Sequence, residues 1–226
     1  QPYWGKFNLS SAPARASLVK YLDKRANGAM VPWDDILEET CRKVAISERA
    51  GTPFQLVGKL PPAEELGWMI ANFAPNKEPM TVFGEGGSGK SLLLLAVALT
   101  ICTGKPFIPR FEPLTMAPVL YLDWESNPAR IDKRVKLLCG GVGLDPQEVP
   151  YRRMAGPLAD QVEDILRYVQ SEGTEFLVID SVEMAMAGGK AEDRDPNEAI
   201  LRLHSALRLI GVTAGLVDHM TKSDAR

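Results

Sequence analysis

Eight consecutive residues fit the pattern G-x-x-x-x-G-K-[ST], the phosphate-binding P-loop: Gly84, Glu85, Gly86, Gly87, Ser88, Gly89, Lys90 and Ser91. The glycines allow the backbone to curl, so that successive N–H groups point at the phosphates. The ammonium group of Lys90 can reach the β- and γ-phosphates, and the hydroxyl group of Ser91 can bind Mg²⁺. We therefore predict that these residues and the adjoining Leu92 bind a nucleotide.

The residues around this pattern have the context that a P-loop requires. Met80–Phe83 is a short, apolar, β-prone run, and Leu92–Cys102 is an unbroken apolar run with strong helix formers. The predicted order is strand, glycine loop and buried helix, with the positive end of the helix dipole at the phosphates. The alternative, a glycine-rich surface loop that matches by chance, does not account for this order.

Asp180 is the candidate for a second metal contact. It ends the apolar run Phe176–Ile179, which is predicted to be a strand. An acid at the end of such a strand can hold Mg²⁺ through water, as a Walker B aspartate does. Many strands end in Asp without any such role, but here a P-loop precedes it. The predicted metal site is therefore Ser91 with Asp180.

Glu125 is the candidate for the group that activates water. Hydrolysis needs a side chain that orients or deprotonates the attacking water molecule. We expect Glu125 at the tip of a strand next to the P-loop strand, although a strand-end acid can also be merely solvated. Asp123 is a competitor, because strand alternation puts both carboxylates on the same side. The position nearer the tip favours Glu125.

His219 follows the last predicted strand, which should adjoin the strand of Asp180. There it could contact the γ-phosphate, so Lys90, Glu125 and His219 form the predicted catalytic set. The alternative for a lone histidine is a structural role. Lys222 and Arg226 lie just beyond and could reach a nucleotide held by a neighbouring subunit, or they are solvated charges.

The order of elements predicts an α/β fold. Apolar strands alternate with helices, which is typical of a mostly parallel sheet with helices on both faces. Ligands of such sheets bind at the carboxyl ends of the strands, where the candidate residues lie. We assign residues 1–55 to an N-terminal helical extension with a linker and residues 56–226 to the core. Residues 64–73 are predicted to form a helix.

The clearest N-terminal helix is predicted from Asp34 to Ala50. Its acids come early and its bases late, which suits the helix dipole, and Gly51 suits the C-terminal cap. Its apolar stripe is thin, so the helix should dock on something. The protein's own core and a neighbouring subunit are both open as the docking surface.

The composition is that of a globular protein without a membrane span. Of 226 residues, 45% are apolar and 24% are charged, and the net charge of −3 gives no global nucleic-acid footprint. The three cysteines are scattered, which favours reduced thiols in the cytoplasm. No apolar run reaches the roughly 18–20 residues of a transmembrane helix.

The motifs, in their order along the chain, resemble those of the RecA-like ATPases. The stretch Val178–Val182 resembles the RecA Walker B region, and Leu122–Glu125 resembles the strand that carries the RecA catalytic glutamate. Three further stretches are similar to the branch that contains the plasmid RepA hexameric helicases. These are Thr103–Phe107, Val119–Leu122 and His219–Lys222. Where that branch usually has His-His-x-x-Lys, this chain has Asp218 in place of the first histidine.

The resemblance implies a RecA-like P-loop NTPase core that hydrolyses ATP with Mg²⁺ at the interface of a homo-oligomeric ring, for example a hexamer. It also implies work on single-stranded DNA, as a helicase or recombination-type motor in DNA replication of a plasmid, phage or mobile element. The segment from Met184 to Asp195, where a DNA-binding loop is expected, is acidic on balance. That favours the alternative, an ATP-dependent switch whose partner is a protein, so both hypotheses stay open.

Overall fold

The computed structural model describes residues 8, 10–26, 29–50, 56–58, 67–187 and 196–219. The chain forms two compact units, residues 1–63 and residues 64–226. None of the helices among the described residues combines the length and apolar character that crossing a membrane requires.

The N-terminal unit contains two helices that pack together, α1 (Ala12–Arg25) and α2 (Trp33–Ala50). The Ser11 side chain caps α1 by accepting a hydrogen bond from the backbone N–H of Ala14. Val19 of α1 and Cys41 of α2 are buried. The helix predicted from Asp34 to Ala50 is confirmed as α2.

The second unit is organised around five parallel strands. They are β3 (Pro79–Gly84), β4 (Val119–Asp123), β5 (Tyr151–Arg153), β6 (Phe176–Asp180) and β7 (Thr213–His219). Their order across the sheet is β3-β7-β6-β4-β5. The prediction that Glu125 follows a strand next to the P-loop strand is therefore wrong, because β7 and β6 lie between β3 and β4. The prediction that β7 adjoins β6 is confirmed.

Helices cover both faces of this sheet, as predicted. One core lies between the sheet and the helices α3 (Lys90–Thr103) and α4 (Pro128–Gly141). The other core lies under α5 (Val162–Glu172), α6 (Val182–Ala187) and α7 (Pro196–Ile210). A 3₁₀ turn at Leu158–Asp160 precedes α5.

The P-loop helix α3 is apolar around most of its circumference because it is buried on most sides. Eight consecutive residues, from Leu94 to Ile101, are buried in it. It ends where the sequence predicted, since Gly104 adopts a φ of 65° and its N–H closes the last turn onto the carbonyl of Thr100. The buried helix fixes the end of the P-loop relative to the sheet.

The helix predicted over residues 64–73 is wrong for the described part, which begins at Gly67. Trp68–Ile70 (β1) pairs antiparallel with Ala74–Pro75 (β2), and Asn72 makes the turn with a positive φ of 55°. Met69 and Ile70 are adjacent and both fully buried. The spacing of the apolar residues is compatible with one face of a helix, which is why a helix was predicted. The burial of two adjacent residues is instead explained by a short hairpin that packs into the core beneath α3 and α4.

Candidate functional site

The P-loop connects β3 to α3 and leaves open space at its glycines. Gly87 and Gly89 have φ values of 79° and 90°, which glycine adopts readily and other residues do not. A Cβ atom added at Gly86, Gly87 or Gly89 would meet no protein atom within 4 Å. The loop therefore has both the curled backbone and the free volume that a bound phosphate chain needs.

Lys90 is buried at the base of this loop, with 6% of its surface exposed. Its Nζ atom donates hydrogen bonds to the carbonyl oxygens of Gly84 and Glu85, each at 2.8 Å. The ammonium group is thus enclosed by the loop backbone at the first turn of α3. The next two residues differ in exposure: Ser91 is half-buried, whereas Leu92 is 42% exposed.

Asp180 lies at the end of β6 and is almost completely buried, with 2% exposure. The hydroxyl group of Tyr121 donates a hydrogen bond of 2.6 Å to its Oδ2 atom. Burial raises the pKa of the Asp180 carboxyl group, while the hydroxyl groups of Tyr121 and Ser91 act in the opposite direction by hydrogen bonding. Ser91, in the first turn of α3, is therefore close enough to act on the carboxyl group of Asp180.

The Asp180 carboxyl group has capacity for a further contact. Its Oδ1 atom is buried and has no hydrogen-bond partner among the described residues. A buried, unpartnered carboxylate oxygen is costly, and a cation or its bound water removes that cost. Hydroxyl and carboxylate oxygens are the ligands that Mg²⁺ prefers. The residues present thus fit a magnesium ion between Ser91 and Asp180.

Glu125 follows β4 and is the accessible carboxylate of the edge, with a side chain that is 42% exposed. The hydroxyl group of Ser181 donates a hydrogen bond to its Oε1 atom. The Nε2 atom of His219 lies 3.4 Å from the same oxygen. Glu125 and His219 are therefore neighbours, although Glu125 follows β4 and His219 ends β7, because β4, β6 and β7 are adjacent in order.

Asp123, the competing candidate, is fully buried and its oxygens are already engaged. Oδ1 accepts hydrogen bonds from the backbone N–H groups of Glu125 and Ser126, at 2.9 and 2.8 Å. Oδ2 accepts one from the hydroxyl group of Tyr151 at 2.8 Å, and Arg153 lies 3.5 Å from Oδ1. Asp123 therefore holds the loop that carries Glu125 and is not open to a water molecule from solvent.

The strand register explains how these residues converge. His219 pairs with Gly84, so the end of β7 lies beside the start of the P-loop. Asp180, at the end of β6, pairs with Asp123 of β4. The carboxyl edge of the sheet thus presents the P-loop, His219, Asp180 and the Glu125 loop in one row. Lys222 and Arg226, which could reach a nucleotide of a neighbouring subunit or be solvated charges, lie outside the described residues.

Three residues of this edge were not found by sequence reasoning: Ser181, Tyr121 and Tyr151. Each of the tyrosines lies within a strand and bonds a carboxylate, and their rings stack with centroids 6.3 Å apart. Burial, followed by the charge of Asp180, raises the pKa of Tyr121, so its hydroxyl group remains a donor. A signal was present, because a phenol in the otherwise apolar strand Val119–Leu122 needs a buried hydrogen-bond partner.

A five-stranded parallel sheet between two layers of helices, with a glycine-rich phosphate loop opening a buried helix, defines a P-loop ATPase of the RecA-like fold. The comparison with known families agrees with this class. Residues 47–225 match the family model described as an AAA domain, and the chain belongs to that family. No curated protein matches the chain.

Proposed function

We propose that this P-loop ATPase hydrolyses ATP with Mg²⁺ at the carboxyl edge of the sheet, with Glu125 as the general base. The observation that carries the proposal is the division of labour between two nearby acids. Asp123 is buried and saturated with hydrogen bonds, whereas Glu125 is exposed and contacts only side-chain donors among the described residues.

The residues act in separate roles in this proposal. Backbone N–H groups of the P-loop and the ammonium group of Lys90 bind the phosphates, and Ser91 and Asp180 hold the metal ion. Mg²⁺, when bound, supplies positive charge that offsets the charge on the phosphate oxygens. Glu125 accepts the proton of the attacking water, and His219, through its contact with Glu125, reports the state of the γ-phosphate.

We further propose that ATP hydrolysis drives a motor on single-stranded DNA, of the helicase or recombination type, in a homo-oligomeric ring such as a hexamer. The resemblance to the RepA branch supports this. The composition of α4 also supports it, because Arg130, Lys133, Arg134 and Lys136 oppose a single acid, Asp132. Arg130, Lys133 and Lys136 are exposed and Arg134 is half-buried, and basic side chains on the helix that follows the Glu125 loop suit contacts with nucleic-acid phosphates.

A second candidate is a switch that acts on a protein partner. The observation in its favour lies on α2, where three apolar side chains are exposed: Ile36 at 44%, Val44 at 37% and Ile46 at 52%. Exposed apolar groups of this kind are typical of protein interfaces. This surface and the negative net charge suit a protein better than DNA.

One experiment separates the two candidates. ATP turnover of the full chain is measured with Mg²⁺ or EDTA, each with and without single-stranded DNA, beside the molar mass from light scattering. We expect Mg²⁺-dependent turnover that DNA stimulates, in an oligomer. Turnover that DNA leaves unchanged, in a protein that binds no DNA at low salt, contradicts the motor and supports the protein switch. Absence of turnover in Mg²⁺ under all these conditions contradicts both.

A further inference from the structure

Tyr121 is a polar side chain in the middle of a buried strand. It is fully buried, and its neighbours in β4 and β6 are apolar except at the carboxyl edge. Burying a phenol hydroxyl group without a partner costs free energy, so its position is informative. The hydroxyl group reaches along the sheet to the Oδ2 atom of Asp180.

The strand register makes this contact specific. Tyr121 pairs with Val178, and Asp123 pairs with Asp180, so Tyr121 and Asp180 lie on one face at a diagonal. The O···O distance of 2.6 Å is that of a well-formed hydrogen bond between a hydroxyl group and a carboxyl oxygen. A carboxyl group that is held at one oxygen cannot rotate freely about its terminal bond. The hydroxyl group thereby restricts the orientation of the Asp180 carboxyl group and leaves Oδ1 as the oxygen without a partner among the described residues.

We propose that Tyr121 is a positioning residue for the magnesium site, because it holds Oδ2 of Asp180 and leaves the unpartnered Oδ1 for the metal ion or its water. This inference rests on the proposed function, which places Mg²⁺ between Ser91 and Asp180. Tyr121 itself touches neither metal nor nucleotide. Its effect is on the geometry of a ligand, as outer-shell partners of metal sites generally act.

Tyr151 provides a matched control within the same pair of stacked rings. Its hydroxyl group donates to Oδ2 of Asp123, at 2.8 Å, and not to Asp180. Replacing either tyrosine with Phe removes one hydroxyl group from one buried carboxylate and keeps the ring. Only the change at Tyr121 alters the carboxylate that is assigned to the metal.

The test measures binding of ATP to the full chain by calorimetry, in Mg²⁺ and in EDTA, for the wild type, Tyr121→Phe and Tyr151→Phe. The measured quantity is the ratio of the affinity for ATP in Mg²⁺ to the affinity for ATP in EDTA. We expect Tyr121→Phe to lower this ratio about 10-fold, the effect of one hydrogen bond to a charged group, and to leave the affinity in EDTA within about 2-fold of the wild type. Tyr151→Phe should keep the wild-type ratio.

A double-mutant cycle with Asp180→Asn identifies the route of the effect. If Tyr121 acts through Asp180, then Tyr121→Phe should lower the ratio no further in the Asp180→Asn background. Loss of one buried hydrogen bond leaves most of the folding free energy of a typical domain, so the variants remain measurable. Their melting temperatures are recorded beside the affinities.

The outcomes distinguish this inference from the proposed function. A wild-type ratio above one that Tyr121→Phe leaves unchanged overturns the positioning role alone. The same holds if Tyr151→Phe lowers the ratio equally, or if the effects of Tyr121→Phe and Asp180→Asn add. A wild-type protein that binds ATP equally well in Mg²⁺ and in EDTA overturns the metal site itself.

Discussion

Replacing Glu125 with Gln separates catalysis from folding at this site. The side chain is 42% exposed, and the amide oxygen of Gln can keep the contacts that Ser181 and His219 make with Oε1. The folding free energy should therefore change by less than about 0.5 kcal/mol, as at an ordinary surface position. Removing the proton acceptor should lower kcat by about 10²–10⁴-fold, while the affinity for ATP is unchanged.

The companion variant Asp123→Asn should show the opposite profile. In the wild type, two backbone N–H groups donate hydrogen bonds to a charged carboxylate oxygen of Asp123. In Asp123→Asn the acceptor of these two bonds is a neutral amide oxygen. The difference between the two kinds of bond is about 1 kcal/mol, so the loss is about 2 kcal/mol. For a unit of this size that corresponds to a melting temperature lower by about 4–8 °C. Turnover should fall less than in Glu125→Gln.

Steady-state phosphate release, nucleotide calorimetry and thermal melting are measured on both variants. Glu175→Gln is the matched control, since Glu175 is exposed and precedes β6 at the opposite end of the sheet. Wild-type turnover in Glu125→Gln would refute the assignment of the general base. An inactive Asp123→Asn that melts at the wild-type temperature would give that role to Asp123 instead.

Three further predictions concern the P-loop and its helix. Lys90→Ala should weaken ATP binding about 100-fold as measured by calorimetry, which is equivalent to about 3 kcal/mol for two charge-assisted hydrogen bonds. The control is Lys105→Ala, which changes a lysine beyond the end of the same helix and should leave the affinity for ATP unchanged. Gly89→Ala should cost about 1–2 kcal/mol, or about 2–8 °C in melting temperature, because its φ is 90°, whereas Gly140→Ala within α4 should not destabilise. Burial raises the pKa of Cys102 from 9.0 to about 11, so alkylation by iodoacetamide at pH 8 should be about 100-fold slower in the folded chain than in urea. Equal alkylation rates in the folded chain and in urea would contradict the burial of Cys102. Because the thiol ionises near pH 9 in the unfolded chain, Cys102 should also lower the free energy of unfolding as the pH rises from 9 to 11 and have no such effect below pH 8.

The sequence predicted those parts of the site that depend on local order along the chain. A strand, a glycine loop and an apolar helix lie next to one another in sequence, so the P-loop could be recognised without any tertiary contact. Asp180 and Glu125 could be found in the same way, because each follows an apolar run. The class of fold followed from the alternation of strands and helices.

The parts that failed depend on which strands become neighbours. The placement of β7 and β6 between β3 and β4 is not encoded in any local pattern, and it overturned the expected position of Glu125. The partner of Tyr121 could not be named for the same reason, since the contact with Asp180 requires β4 and β6 to be adjacent. Parity of strand residues also could not separate Asp123 from Glu125, whereas burial and hydrogen bonding do.

The strand order has a consequence for how the protein is assembled during synthesis. Within the described sheet β3 pairs with β7 alone, so the first of the five strands to leave the ribosome is joined to the last. Bringing β3 and β7 together closes a long segment of chain, and the entropy that this costs is lost before the contacts between the two strands can offset it. Sheets with such long-range pairing form slowly. Until residues 213–219 have been made, the strand that leads into the P-loop has no place in the sheet. Tight binding of ATP therefore requires β7 to be in place and gives little help to the earlier steps in forming the described sheet.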